Sequence, residues 1–154
     1  MGLALAFGIG FVAGLRSLTA PAAVSWAAHL GWLDLQDSRL GFIGSTIAVV
    51  ILSLAALFEY VADKLPTTPR RTTPGPLIGR MVLGGFSGAC LMVSAGQSWL
   101  YGAIAGAIGG LVGAFAGYEA RRRLVSALKV KDRSVAVPED LVAIVLAFLI
   151  VARR

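Results

Sequence analysis

Apolar residues fill this chain in long runs, and the positions that interrupt those runs are the informative ones. The first run, Leu3 to Leu15, gives way to Gly14-Leu15-Arg16-Ser17-Leu18-Thr19-Ala20-Pro21, and apolar character resumes from Ala22 to Leu33. A run of about 13 residues makes roughly 20 Å of helix, too short for a hydrocarbon core of about 30 Å. The two runs together make about 45 Å, too long for one untilted crossing. The pattern predicts a broken first segment, with Arg16 beside the break and well below a membrane surface. Pro21 supports the break, because it has no backbone N–H and disfavours helix in the residue before it. One broken crossing is the preferred arrangement; a re-entrant hairpin is the alternative.

Four further apolar segments follow: Leu40 to Ala62, Leu77 to Ala95, Trp99 to Tyr118, and a short one from Pro138-Glu139-Asp140 to Ala152. The stretch from Asp63 to Pro76 contains Pro66, Pro69, Pro74 and Pro76 and reads as a non-helical loop. The basic stretch from Arg121 to Arg133 reads as a second loop. The expected fold class is all-α, a polytopic transmembrane helical bundle. It has about five membrane segments, and residues 1–154 form a single integral membrane domain.

Composition strengthens this reading. Hydrophobic residues make up 57% of the chain and charged residues only 14%, with a mean hydropathy of +0.81. A soluble domain carries about 25% charged residues. The net charge of +6 lies mainly in two loops and at the C-terminal end, as it does where cytoplasmic loops are enriched in Lys and Arg. This places the Lys64–Arg80 and Arg121–Arg133 loops in the cytoplasm and the Asp34–Asp37 loop outside. Trp26, Trp32, Trp99 and Tyr101 then fall near the outer boundary. The expected location is the inner membrane, with several passes and with membrane lipids as partners. Nucleic acid is excluded as a partner for want of a soluble basic domain. Without Lys or Arg before Leu3, the N-terminus does not read as a cleaved signal peptide.

Glycines form a second pattern. Gly102, Gly106 and Gly110 lie four apart, and so do Gly109, Gly113 and Gly117. Such small-residue ridges let helix backbones approach closely. They serve either packing within one chain or the interface of a homo-oligomer, and self-association is expected of a chain this small.

The polar residues form a candidate site. Glu59 and Asp63 share one helical face, four residues apart. Arg80 opens the third segment, and Glu139 and Asp140 open the fifth. These carboxylates can bind a cation or carry protons. Arg16, Ser17 and Thr19, with free backbone N–H groups at the break, can hold an anionic group. Pro138-Glu139-Asp140 also fits a plain helix start, with proline first and carboxylates on the positive dipole. Arg121, Arg122 and Arg123 fit a topological role, with anionic lipid as a secondary contact. The only cysteine, Cys90, excludes an internal disulfide and a multi-Cys metal site. No metalloprotease or Walker motif occurs. The only histidine, His29, sits beside Trp26 and Trp32 and supplies no base to Ser17 or Ser87. Enzymatic activity is therefore not the expected function, no cofactor is expected, and the question of a metal stays open.

The combination of Gly14-Leu-Arg-Ser-Leu-Thr-Ala-Pro21, Glu59-x-x-x-Asp63-Lys64-x-Pro66, Arg80 and Pro138-Glu139-Asp140 resembles a family of small bacterial inner-membrane proteins. That family is known only as a domain of unknown function. The resemblance implies that Arg16, Glu59, Asp63, Arg80, Glu139 and Asp140 belong to the family pattern, and it implies no activity. Family members often carry acidic residues after the Asp-Lys-x-Pro motif. This chain has Thr67-Thr68-Pro69-Arg70-Arg71 there, which counts against cation binding by that loop. The expected function is a small transporter or channel for a cation, a proton or a small polar solute, with the carboxylate–arginine cluster lining its path. The alternative is a structural or assembly subunit whose buried polar network fixes the fold. A dry, directly paired arrangement of Arg16 and Glu59 favours that alternative; a water-filled cavity between the two favours the path.

Overall fold

A computed structural model describes residues 1–67, 69–70 and 72–153. Thr68, Arg71 and Arg154, which enter the loop and charge arguments above, lie outside the described residues. Among those described there are six α-helices and no strand. They are α1 (Gly2–Leu15), α2 (Thr19–His29), α3 (Thr46–Ala62), α4 (Pro74–Ser94), α5 (Trp99–Leu128) and α6 (Asp132–Ala152), with a short 3₁₀ turn at Gly41–Gly44 before α3. Helices α4, α5 and α6 are long and apolar enough to cross a membrane, and α1 and α3 are shorter apolar helices.

Four boundaries differ from the expected ones. Helix α3 starts at Thr46 and not at Leu40, because the Gly41–Gly44 turn and Ser45 precede it. Helix α4 starts inside the proline-rich loop, at Pro74. Proline is tolerated in a first turn, where its missing N–H has no intrahelical partner. Helix α5 runs past Tyr118 to Leu128, over Arg121, Arg122 and Arg123, since Arg, Leu and Ala are good helix formers, and stops at Lys129 in a left-handed conformation. Helix α6 begins at Asp132, so Pro138 lies inside it. The carbonyl four residues earlier belongs to Ser134, an exposed residue. Glu139 and Asp140 are therefore not in the first turn, and the helix-start explanation for them falls away; Asp132 holds that position.

The chain breaks where the pattern placed the break. Arg16 leaves α1 in an extended conformation, with φ −142° and ψ 109°. The two halves then double back instead of continuing. Gly2 of α1 lies against Met92 and Gln97, at the end of α4, while its last carbonyls reach Arg80, near the start of α4. Helix α2 begins beside Glu59 and Tyr60. It ends beside Ser53 and Gly44, through Trp26 and His29. Helix α6 leaves Asp140 beside Arg16 and brings Ile150 against Gly8 of α1. On the way it shares a groove with Thr19 to Trp26 of α2. So α1 and α2 form a hairpin with Arg16 at its tip.

Helices α1, α4 and α5 form the most extensively packed part of the molecule. The glycine rows explain the closeness. A Cβ on Gly84 would sit 2.6 Å from the Gly106 carbonyl oxygen, and one on Gly110 would sit 2.7 Å from that of Arg80. Gly102, Gly106 and Gly110 face α4, while Gly109 and Gly113 face Phe7, Gly10 and Phe11 of α1. Gly14 is held as tightly, with its Cβ position 2.5 Å from the Ala114 nitrogen. Gly117 is buried further along, in a groove beside Leu15. The rows thus work inside this chain.

Helices α2, α3 and α6 form a looser layer against the trio. Ile9, Val12, Val24, Leu33, Ile43, Leu91, Ala143, Ala147 and Val151 form the apolar core between them, with buried Cys90. Helix α3 turns Ile47, Ile51, Leu54, Phe58 and Val61 outward. Trp26, Trp32, Trp99 and Tyr101 are exposed, all at the end of the bundle away from Arg16.

Candidate functional site

The site begins with two severed helix ends. A helix that stops leaves carbonyls without partners and a negative dipole end; one that starts leaves N–H groups and a positive end. Arg80 answers the first. Its Nη1 donates to the Gly14 carbonyl at 2.8 Å and lies 3.4 Å from that of Ala13. Glu59 answers the second, accepting from the backbone N–H of Ser17 at 2.8 Å and of Leu18 at 2.9 Å. It also accepts from the Ser17 hydroxyl at 2.6 Å. The two charges face each other at 3.8 Å and both are buried. Each stands at the helix end of opposite sign.

Arg16 occupies the turn between those ends and is fully buried. Its guanidinium pairs with Asp63 and with Asp140. It also lies 5.7 Å from the centre of the Tyr60 ring. Tyr60 in turn bonds the Thr19 hydroxyl at 2.6 Å. Lys64 stands 3.8 Å from Asp140. Arg16, Lys64 and Arg80 are thus matched by Glu59, Asp63 and Asp140. Removing Arg16, the fully buried member shared by two carboxylates, costs about 3–5 kcal/mol.

Charge sign follows the layers. Arg16 and Arg80 come from the tightly packed trio, at the end of α1 and on α4. Glu59, Asp63 and Asp140 come from α3 and α6. The ion pairs therefore bridge the seam between the two layers.

Glu139 does not join this cluster. Neighbouring residues on a helix project about 100° apart, and Glu139 faces Arg121 of α5 at 3.6 Å. Arg121 also donates to Asp132 at 2.8 and 2.5 Å. This second group repeats the rule, with an arginine of the trio facing carboxylates of α6. Of the expected site residues, Arg16, Ser17, Thr19, Glu59, Asp63, Arg80 and Asp140 gather at the hairpin tip, Thr19 through Tyr60. Sequence reasoning missed Tyr60, Lys64 and Asp132, and gave Arg121 a topological role with anionic lipid as a secondary contact, not a carboxylate partner. The first two adjoin Glu59 and Asp63, which was the available signal.

A cleft of about 530 Å³ opens beside the cluster, lined by Asp63, Arg70, Tyr118, Arg121, Arg122 and Asp132 among others. Asp63 and Asp140 are 15% and 12% exposed, whereas Arg16 is 0% exposed. The cluster thus has a dry side at Glu59 and Arg80 and a side that borders open space at Asp63. Among the described residues, no three His, Cys, Asp or Glu side chains are grouped to hold a metal ion.

No curated protein and no solved structure matches the chain. The family model of the domain of unknown function DUF4126 matches residues 3–153, so the chain belongs to that family.

Proposed function

We propose that this chain is a small transporter or channel of the bacterial inner membrane, carrying a proton or a small polar solute past the Arg16 cluster. One observation carries the reading: Asp63 belongs both to the buried ion pair with Arg16 and to the wall of the cleft. A group in both places can exchange a proton or a solute contact for its arginine. That exchange weakens a pair holding the two layers together, which is the step an opening path needs. The mouth holds Arg70, Arg121 and Arg122 against Asp63 and Asp132. This balance favours a proton or an anionic solute over a metal cation.

In this reading α1 and α2 form a re-entrant hairpin and α3 to α6 cross the membrane. Helix α3 has 17 residues, the short end of the crossing range of about 17–25. Arg70, Arg121, Arg122, Arg123, Lys129, Lys131 and Arg133 then lie on the cytoplasmic side with the cleft, and Asp34 and Asp37 lie opposite. The test is flux in proteoliposomes across a panel of ions, protons and polar metabolites. Asp63→Asn is expected to abolish flux while the protein remains folded. Absence of flux across the panel sinks the proposal, as does unchanged flux in Asp63→Asn.

A structural or assembly role is the second reading, favoured by Glu59 and Arg80, which bind backbone at the hairpin tip. It predicts that Arg16→Ala lowers abundance, that neutralising Asp63 and Asp140 in the same chain partly restores it, and that no substrate moves.

A further inference from the structure

The basic stretch of α5 has a geometry that a topological role does not require. Arg121 is only 15% exposed, yet its Nε–Nη2 fork is taken side-on by Asp132, which is 63% exposed. A largely buried guanidinium thus presents two aligned N–H groups to a carboxylate that water can reach and displace. Both groups line the 530 Å³ cleft, with Arg70, Arg122, Tyr118 and Ser126. Arg122 is bound by Glu119 at 3.2 Å, an exposed pair within one helix. Such pairs contribute at most about 1 kcal/mol and exchange readily. The arginine fork fits carboxylate and phosphate oxygens alike, and a more highly charged oxyanion competes well against a single carboxylate.

We propose that this cleft binds a phosphate-class oxyanion, free or as the headgroup of an anionic phospholipid. Arg121 is its central ligand, and Asp132 is a built-in competitor that fills the place when the anion is absent. Arg70 and Arg122 supply further positive charge beside Arg121, which Glu139 also faces at 3.6 Å, and the Tyr118 and Ser126 hydroxyls supply neutral donors. An anion held there stands in the same cleft as Asp63, so its charge acts on the Asp63–Arg16 pair. The inference deepens the transport reading by naming the class of solute, and it rests on that reading only for the claim that the anion moves.

The experiment uses the purified full chain in nanodiscs of neutral phospholipid, titrated with inorganic phosphate. A second arm raises the phosphatidylglycerol fraction of the disc with no phosphate added. Saturable binding in the first arm identifies a free oxyanion, and in the second a lipid headgroup; either supports the site. Asp132→Asn is expected to tighten binding about tenfold and Arg121→Gln to weaken it about tenfold or more, the scale of one charge-assisted fork. Arg70→Gln, on an exposed loop, is expected to weaken binding about threefold without disturbing the α5–α6 pair. No saturable binding in either arm overturns the proposal, as does unchanged affinity in both Asp132→Asn and Arg70→Gln. Binding without flux in proteoliposomes keeps the site and sinks the transport reading. Flux without binding does the reverse.

Discussion

The two layers of this molecule are held by different physics. Helices α1, α4 and α5 meet through glycine, backbone against backbone, with no room for a methyl group at Gly84 or Gly110. Helices α2 and α6 meet the trio through an apolar core, α3 packs on α2, and at one end ion pairs from the α3 and α6 side reach the trio. Van der Waals packing of this kind is short-ranged and has one good geometry. A salt bridge bordering a cleft can be exchanged for another partner. The contrast separates a scaffold from a part able to move against it, and among the described residues the ion pairs of Arg16, Arg80 and Arg121 put the arginine on the scaffold.

The largest expected effect comes from the seam. Arg16→Ala takes from Asp63 and Asp140 the buried cation they share and leaves Lys64, 3.8 Å from Asp140, as the remaining one, at a cost of about 3–5 kcal/mol. Loss of monodisperse protein or a steep fall in Tm in detergent reads it. Adding Asp63→Asn and Asp140→Asn to the same chain is expected to recover much of that loss, because the carboxylates then carry no charge. If Arg16→Ala leaves Tm unchanged, the ion pairs do not join the layers and the contrast fails.

Next comes the scaffold. Gly84→Val forces a branched side chain against the Gly106 carbonyl, 2.6 Å from the first added carbon. Overpacking of a rigid site costs about 1–3 kcal/mol. Unlike Arg16→Ala, no second charge change should rescue it, and thermal unfolding of the double variants checks this.

The two carboxylates of α3 divide the seam itself. Glu59→Gln keeps an acceptor for Ser17 and Leu18 but loses the charge facing the α2 dipole and Arg80. A loss of about 1–2 kcal/mol is expected, the range for caps and helix-end charges in partly buried sites. Asp63→Asn is expected to cost less stability and more flux, since Asp63 borders the cleft. Equal effects of the two variants on both Tm and flux would merge what the structure separates.

Much of this was legible in the order of residues. The Gly-Leu-Arg-Ser-Leu-Thr-Ala-Pro stretch located the break, because an arginine and a proline cannot continue a buried apolar helix without consequence. The spacing of Glu59 and Asp63 put both on one face, and both do meet the hairpin tip. Their division of labour was not legible, since it depends on α2 turning back so that its N–H groups reach Glu59. Hydropathy measures length and polarity along the chain, and direction leaves no trace in either. The role of Arg121 was hidden for a related reason. It needs α5 to continue past Tyr118 and α6 to start at Asp132, and Pro138 read as a start because only the exposure of Ser134 makes an interior proline cheap.

The smallest effect gives the sharpest control on the glycine argument. Gly79 and Gly84 lie on the same helix, but a Cβ on Gly79 meets nothing within 4 Å. Gly79→Ala should therefore gain helix propensity without a clash, stabilising α4 by about 0.5–1 kcal/mol. A small rise in Tm with unchanged flux is the expected result. If Gly79→Ala destabilises the protein as Gly84→Val does, close approach is not what sets the glycines of the scaffold apart. The exposed face of α4 would then be covered by something, and a second copy of this chain would be the first partner to look for by cross-linking from Gly79→Cys.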